Sequence, residues 1–232
     1  MFFYQLGLKL GLEHLQQTAN DLGLGDRTGI DLPAETRGLV PTPDYYNHHF
    51  KSGHWPRGVL LNLGIGQGEL LASPLQLALM TAIVANGGQP LRPHVVRAID
   101  GVPEFRIERP VEPGIDTDPE DWAAVHEAMK LVVDAGTATS ARIPGIGVAG
   151  KTGSAQNPHG KVHALFVCYA PTDHPVIAMA MVAENSGHGG TICAPLAARV
   201  LRAVLLGDSL AVVRNPAPRD TTKADTTGGD VD

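Results

Sequence analysis

Apolar positions along the chain fall into separated groups whose spacing sorts them into helices and strands. Between Phe2 and Asn20 stand Leu6, Leu8, Leu10, Leu12 and Leu15, with Gly23 and Gly25 beyond. This pattern predicts an amphipathic helix with a glycine-ended C-terminus. Ser73-Pro74 opens a second helix, an N-cap hydroxyl followed by proline at the first helical position. Leu75, Leu79, Ala82 and Ile83 recur on one face of it, and Asn86-Gly87-Gly88 ends it. Thr117-Asp118-Pro119-Glu120 reads as a capping box for a third helix. Its core stripe would be Trp122, Val125, Met129, Val132 and Val133, and it would end near Gly136.

Three runs with strand character follow, each bounded by turn residues: Val148 to Gln156, Val162 to Ala170 and Val176 to Glu184. The first is expected in the inner part of a sheet beside the other two. A last helix is expected from about Pro195 to Leu206, with Gly207 as its stop. Two stretches lack periodicity. Residues 24–60 read as a long irregular connection on the rim of a groove, with Leu39-Val40-Pro41 extended. Residues 90–117 alternate and turn, with Val95-Val96 and Phe105-Arg106-Ile107 as short edge strands. After Arg214 the chain is rich in Pro, Asp, Thr and Gly, and residues 214–232 are expected to be a disordered tail behind a folded portion over 1–213.

Composition narrows the classes of function. Hydrophobic residues make up 43% of the 232, enough to bury a core. The net charge is −6 with scattered lysines and arginines, which argues against nucleic-acid binding. Cys168 and Cys193 form no C-x-x-C pair and no zinc spacing. Cys168 reads as buried packing, and a bridge to Cys193 stays open. Lys9, Glu13 and His14 interrupt the first fifteen residues, so the N-terminus is not a signal peptide, and no stretch reads as a transmembrane span.

The chemistry is concentrated in Lys151-Thr152-Gly153-Ser154. Gly153 lets a ligand backbone approach the strand edge. Lys151 offers a cation for a carboxylate or a neighbouring hydroxyl. Thr152 and Ser154 offer hydroxyls, and the Ser154 N–H can face a developing oxyanion. An exposed strand lysine before a turn gives the same three letters, so the triplet alone has low specificity. Other candidates are weaker. His48, His49 and His54 lack a completing carboxylate or cysteine at usual spacing, so no metal site is expected. Gly64, Gly66 and Gly68 are not arranged as a phosphate loop and read as a tight turn that packs the next helix start against the sheet, with Gln67 toward the groove. His188 reads as a surface loop histidine at the sheet edge opposite any expected nucleophile.

The whole set of segments resembles class B penicillin-binding proteins, and among them the elongation-type transpeptidases. Lys151-Thr152-Gly153 is similar to their third signature, which accompanies S-x-x-K and S-x-N in this superfamily. Asn62-Leu63-Gly64-Ile65-Gly66-Gln67-Gly68 with Ser73-Pro74-Leu75-Gln76-Leu77-Ala78 resembles their I-G-Q-G…TPLQLA block. Thr28-Gly29-Ile30-Asp31-Leu32-Pro33, Gly136-Thr137-Ala138 and Tyr4-Gln5-Leu6-Gly7 match three further blocks, in order, from Met1 to about Leu206. Val59 stands where the family is expected to carry an acid, and Ser154 where it often carries threonine.

The resemblance implies an α/β (α+β) transpeptidase fold, an antiparallel sheet flanked by helices, incomplete at its N-terminus. It implies a D,D-transpeptidase that cross-links peptidoglycan stem peptides through a serine acyl-enzyme and is acylated by β-lactams. Lys151, Thr152, Gly153 and Ser154 would be the catalytic strand, and Lys151, Thr152, Ser154 and Gln156 would bind substrate. No cofactor and no metal are implied. A membrane glycosyltransferase of the elongation machinery is an implied partner, and the extracytoplasmic face of the inner membrane is the implied location of the full-length protein. None of Ser52, Ser73, Ser140, Ser154, Ser186 and Ser209 opens S-x-x-K or S-x-N. The chain is therefore expected to be the C-terminal part of such a domain, starting just after the second motif. A non-catalytic binding module that kept the groove is the competing reading; the I-G-Q-G and T-G-I-D-L-P blocks favour a transpeptidase over a β-lactamase or β-lactam sensor.

Overall fold

The computed structural model describes residues 1–50, 54–96, 99 and 114–207. The expected tail over 214–232, the boundary at 213 and the strand expected at Phe105-Arg106-Ile107 lie outside the described residues. The elements run α1 (Phe2–Asp21), α2 (Pro43–His49), α3 (Gly58–Leu63), α4 (Pro74–Ala85), α5 (Pro119–Asp134), a 3-10 turn (Thr139–Ala141), β1 (Ala149–Ala155), β2 (His163–Ala170), β3 (Ile177–Ala183) and α6 (Gly189–Leu206).

Strand order is β1-β2-β3, antiparallel throughout. The strand carrying Lys151 is thus an edge among the described strands, not the inner strand expected from sequence. Periodicity places a strand in a sheet but says nothing of its rank, which the pairing of β2 with both neighbours decides. On one face of β2, Ala164, Phe166 and Cys168 are fully buried. They meet Cys193, Ala194, Ala197 and Leu201 of α6, with Val133, Ala138, Ala141 and Val148 completing this core. Tyr169, on the alternate face, touches the His126 ring of α5 at 5.8 Å between centroids, and His126 Nε2 lies 2.6 Å from the carbonyl oxygen of Val84 in α4.

Helix α6 begins at Gly189, six residues before the expected Pro195. Proline inside a helix removes one donor, but here it sits in the second turn, so the helix carries through it. By length and composition α6 is also apolar enough to cross a membrane, contrary to the sequence reading. Its small and apolar face lies on β2 instead, which makes it the core helix of this sheet.

A second core joins α1, α2 and α3 through Leu12, Tyr46, Val59 and Leu60. Helix α2 and the first half of α3 lie in the stretch expected to be irregular. Helix α2 has Thr42 as N-cap, its hydroxyl accepting from the Tyr45 N–H at 3.0 Å, and Pro43 at the first position. Both helices are too short for a periodic pattern to show, and both are held by the core they bury. Tyr46 has no exposed surface and donates to Glu69 Oε2 at 2.8 Å; burial, then the Glu69 carboxylate, pushes its phenol well above the ordinary range. Val59 is buried here, so the position where an acid was expected serves packing.

Two elements start or bend differently from expectation. Helix α1 is broken at Gly11, whose φ of 76° is open to glycine, so one expected helix is two segments. The N-cap of α5 is Asp118, whose carboxylate accepts from the Glu120 N–H at 3.1 Å, in place of a Thr117 box. Along α5 the inward positions are Trp122, His126, Met129 and Val133, while Val125 is exposed. Helix α4 has the capping box in full: Ser73 Oγ accepts from Gln76 N–H and Gln76 Oε1 accepts from Ser73 N–H. The Gln76 amide then donates to the carbonyls of Asp26 and Arg37 at 2.8 and 2.9 Å, so a fully buried polar side chain is satisfied. Val95 and Val96 are not strand; Asp31 accepts from their two N–H groups at 2.7 and 2.9 Å. Leu39 bridges Leu71 in antiparallel fashion, as its extended reading required.

Candidate active site

Alternation along β1 divides the candidate residues between its two faces. Thr152 pairs with Phe166 and Ser154 with Ala164, on the side that faces α6. Lys151 and Gly153 pair with Val167 and Leu165 and point the other way. Lys151 is exposed, and its ammonium donates to the Thr152 carbonyl oxygen at 2.8 Å. The two hydroxyls are thus brought to one surface, while the lysine reaches the strand edge around the backbone. Gln156 lies one residue past β1 and is exposed.

The start of α6 is pressed against that surface, and glycines make this possible. A Cβ on Gly189 would collide with the carbonyl oxygen of Leu165, and one on Gly190 with that of Thr137. Thr137 is the middle residue of the Gly-Thr-Ala block, and its hydroxyl lies 2.7 Å from that of Thr152. Ser140 Oγ donates to the Gly190 carbonyl at 2.9 Å, tying the same segment to the helix start. No acidic residue occupies the first turn of α6. The positive end of α6, with no acidic residue in its own first turn, therefore lies beside the Thr152 and Ser154 hydroxyls, a surface suited to an anionic group.

Ser154 is gripped from two directions. Gln67, in the glycine-rich turn after α3, donates to the Ser154 carbonyl at 3.0 Å. The Ser154 hydroxyl lies 3.1 Å from His188 Nδ1. The sequence reading put His188 at the far edge of the sheet; the structure sets it against β1. The reason is topological. The turn after β3 leads directly into α6, which crosses back over β2 and brings its N-terminus to β1. No spacing in the sequence reports that crossing. The glycine turn also differs from expectation. Gly64 packs against Gly7 of α1, where a Cβ would lie 2.8 Å from the Phe3 carbonyl, and it is Gln67 that reaches the sheet.

The remaining sequence candidates sit elsewhere. His48 and His49 end α2, with the His49 ring stacked on Tyr45 at 5.9 Å. Among the described residues, no three His, Cys, Asp or Glu side chains converge as a metal site. Cys168 and Cys193 are both free and buried, and burial pushes the Cys168 thiol up to about 12. Cys193 Sγ points to the Ala164 carbonyl at 3.3 Å, so both thiols are packing groups of the α6 face. Sequence reasoning missed Thr137 and His188 as neighbours of the strand; only the Gly-Thr-Ala block hinted at the first.

Residues 1–202 match the penicillin-binding protein transpeptidase domain. The chain is 40% identical over 208 residues to the peptidoglycan D,D-transpeptidase MrdA of Acinetobacter baumannii, across 82% of this chain and 31% of that protein. Penicillin-binding protein 2 of Pseudomonas aeruginosa, solved in complex with WCK 5153, is similar at a TM-score of 0.79 and 38% identity, over 88% of this chain and 46% of that one. Penicillin-binding protein 2 of Helicobacter pylori, solved in complex with MreC, is similar at a TM-score of 0.73 and 30% identity, over 89% of this chain and 38% of that one. The chain spans about a third of the length of the curated relatives it matches.

Proposed function

The chain belongs to the penicillin-binding protein transpeptidase family, and from that premise we propose that it supplies the substrate-carboxylate side of a peptidoglycan D,D-transpeptidase site. The observation that carries this reading is the disposition of β1: two hydroxyls, Thr152 and Ser154, on the surface facing the α6 N-terminus, with Lys151 at the same strand edge. In the reaction, a serine hydroxyl from an S-x-x-K segment attacks the D-Ala–D-Ala amide. The C–N bond breaks, D-Ala departs with a proton, and an amine of a second stem peptide takes the acyl group from the serine ester. Thr152 and Ser154 bind the terminal carboxylate, Lys151 adds its charge, and the Ser154 N–H donates to the oxyanion. Gln156, exposed one residue past β1, adds to substrate binding. β-Lactams, which present a carboxylate beside a strained amide, are taken by the same groups.

The names of the relatives support two further proposals. One is a role in envelope peptidoglycan synthesis, in which the protein acts outside the inner membrane. The other is assembly with synthase partners such as a membrane glycosyltransferase; a similar protein was solved as part of a peptidoglycan synthase complex. The test is acylation by a fluorescent penicillin, made on a complete transpeptidase domain that carries S-x-x-K and S-x-N segments together with this chain. Lys151→Ala should slow acylation on the order of a hundredfold; an unchanged rate removes Lys151 from the mechanism. A non-catalytic binding module that keeps the groove is the second reading. It takes over if the completed domain binds stem peptide and never forms an adduct that survives denaturation.

A further inference from the structure

The loop that carries His188 is tied down on every side. Gly187 N–H donates to the Val162 carbonyl at 3.0 Å, and the His188 carbonyl accepts from the Thr191 and Ile192 N–H groups at 3.1 and 3.0 Å. Asn185 N–H donates to His163 Nδ1 at 3.1 Å, and the Asn157 amide donates to Asn185 Oδ1 at 2.5 Å. Asn185 holds a φ of 53°, a conformation that asparagine tolerates better than most residues. The His188 side chain makes no capping bond to α6, although it stands at the N-cap. Its ring instead meets Ser154, with Nδ1 3.1 Å from Oγ.

That contact has two forms with opposite consequences. A neutral imidazole carries its proton on Nδ1 or on Nε2. With Nδ1 bare, the ring accepts the Ser154 proton, and the hydroxyl has none left to give. With the proton on Nδ1, the ring donates to Ser154 Oγ, and the hydroxyl proton is free to point into the groove. A carboxylate only accepts hydrogen bonds, so it is served by the second form alone. His188 is exposed, and water at the ring can carry the proton from one nitrogen to the other. Gln67 anchors the Ser154 backbone beside the ring through its carbonyl at 3.0 Å.

We infer that His188 is a positioning residue: its Nδ1–H turns the Ser154 hydroxyl toward the terminal carboxylate of the acyl donor. This rests on the transpeptidase reading of the site. The ligand recognised is the free carboxylate, so the role concerns initial binding and not the acylation step that follows.

The experiment uses the complete domain with penicillin G and with its methyl ester, which lacks the anionic carboxylate. Acylation kinetics are split into the dissociation constant of the first complex and the rate of the covalent step. His188→Leu should weaken the first complex with penicillin G roughly tenfold, the worth of one hydrogen bond, and leave the covalent rate unchanged. The ester, whose neutral carbonyl is a weaker acceptor than the anion, should lose clearly less. His188→Asn, whose amide places a donor near the Nδ1 position, should restore tight binding of the acid. In a Ser154→Ala background, His188→Leu should cost nothing further. Equal losses for acid and ester, no loss for either, or failure of His188→Asn to rescue would each overturn the assignment. If the unsubstituted domain is acylated normally while His188→Leu matches it, only His188 loses its role. If the unsubstituted domain is never acylated, the transpeptidase reading falls and this inference with it.

Discussion

The amide of Gln67 donates to the carbonyl of Ser154 at 3.0 Å across 87 residues of sequence. This one bond ties the glycine-rich turn after α3 to the end of the strand that carries Lys151. The helical core of α1–α3 and the sheet are therefore joined at the site itself. The bond lies at the exposed end of β1, with Gln67 itself half-buried.

Removing that tie should loosen the strand end without dismantling either core. Gln67→Ala is expected to cost about 1 kcal/mol of stability. Chemical denaturation of the complete domain measures it, and hydrogen exchange should rise at the end of β1 more than in β2. Equal protection at both strands would show that Gln67 contributes nothing to the site.

Gly64 and Gly7 allow α3 to lie directly on α1. A Cβ on Gly64 would stand 2.8 Å from the Phe3 carbonyl and 3.1 Å from that of Leu60; one on Gly7 would stand 2.6 Å from the latter. These obstacles are backbone and cannot swing aside. Gly64→Ala should destabilise the domain by about 1–3 kcal/mol, in the range of core overpacking. Gly66→Ala lacks such neighbours, although its φ of 72° carries its own strain. The two can be told apart by structure: Gly64→Ala should displace α1, seen in the exposure of the Leu12 and Tyr46 core by near-ultraviolet dichroism, and Gly66→Ala should not.

Asp31 fastens the chain after α4 by accepting from the Val95 and Val96 N–H groups, and those two bonds hold its carboxyl below the ordinary aspartate range. A folded-state value below the unfolded one means stability that is present above the unfolded value and is lost as pH falls through the folded one. The melting-temperature gap between the native protein and Asp31→Ala should therefore be full at neutral pH. It should close as pH drops below about 4. A gap independent of pH would mean that Asp31 acts through packing and not as an acceptor.

How much of this was legible in the residues follows from the range of each signal. The Ser73-Pro74 helix start, the three strands and the Lys151-Thr152-Gly153-Ser154 segment could be read directly, because caps, alternation and short motifs are local. Helices α2 and α3 could not, since six or seven residues hold too few turns to show a period and draw their stability from Tyr46, Val59 and Leu60 packing together. Val125 was assigned to the core and His126 was not, because hydrophobicity was used as a proxy for direction; the packing of α5 turned the histidine inward to Tyr169.

The sequence by itself determined the family, through five blocks in a matching order, and it singled out Lys151, Thr152 and Ser154 as candidates to meet a carboxylate. Only the tertiary structure decided that β1 is an edge among the described strands, that Thr137 stands beside Thr152, and that Gln67 and His188 close on Ser154 from opposite parts of the chain. The physical reason is the same in each case. These relationships are made by α6 crossing the sheet and by glycines that let backbones touch, and both depend on contacts between segments that no local pattern records.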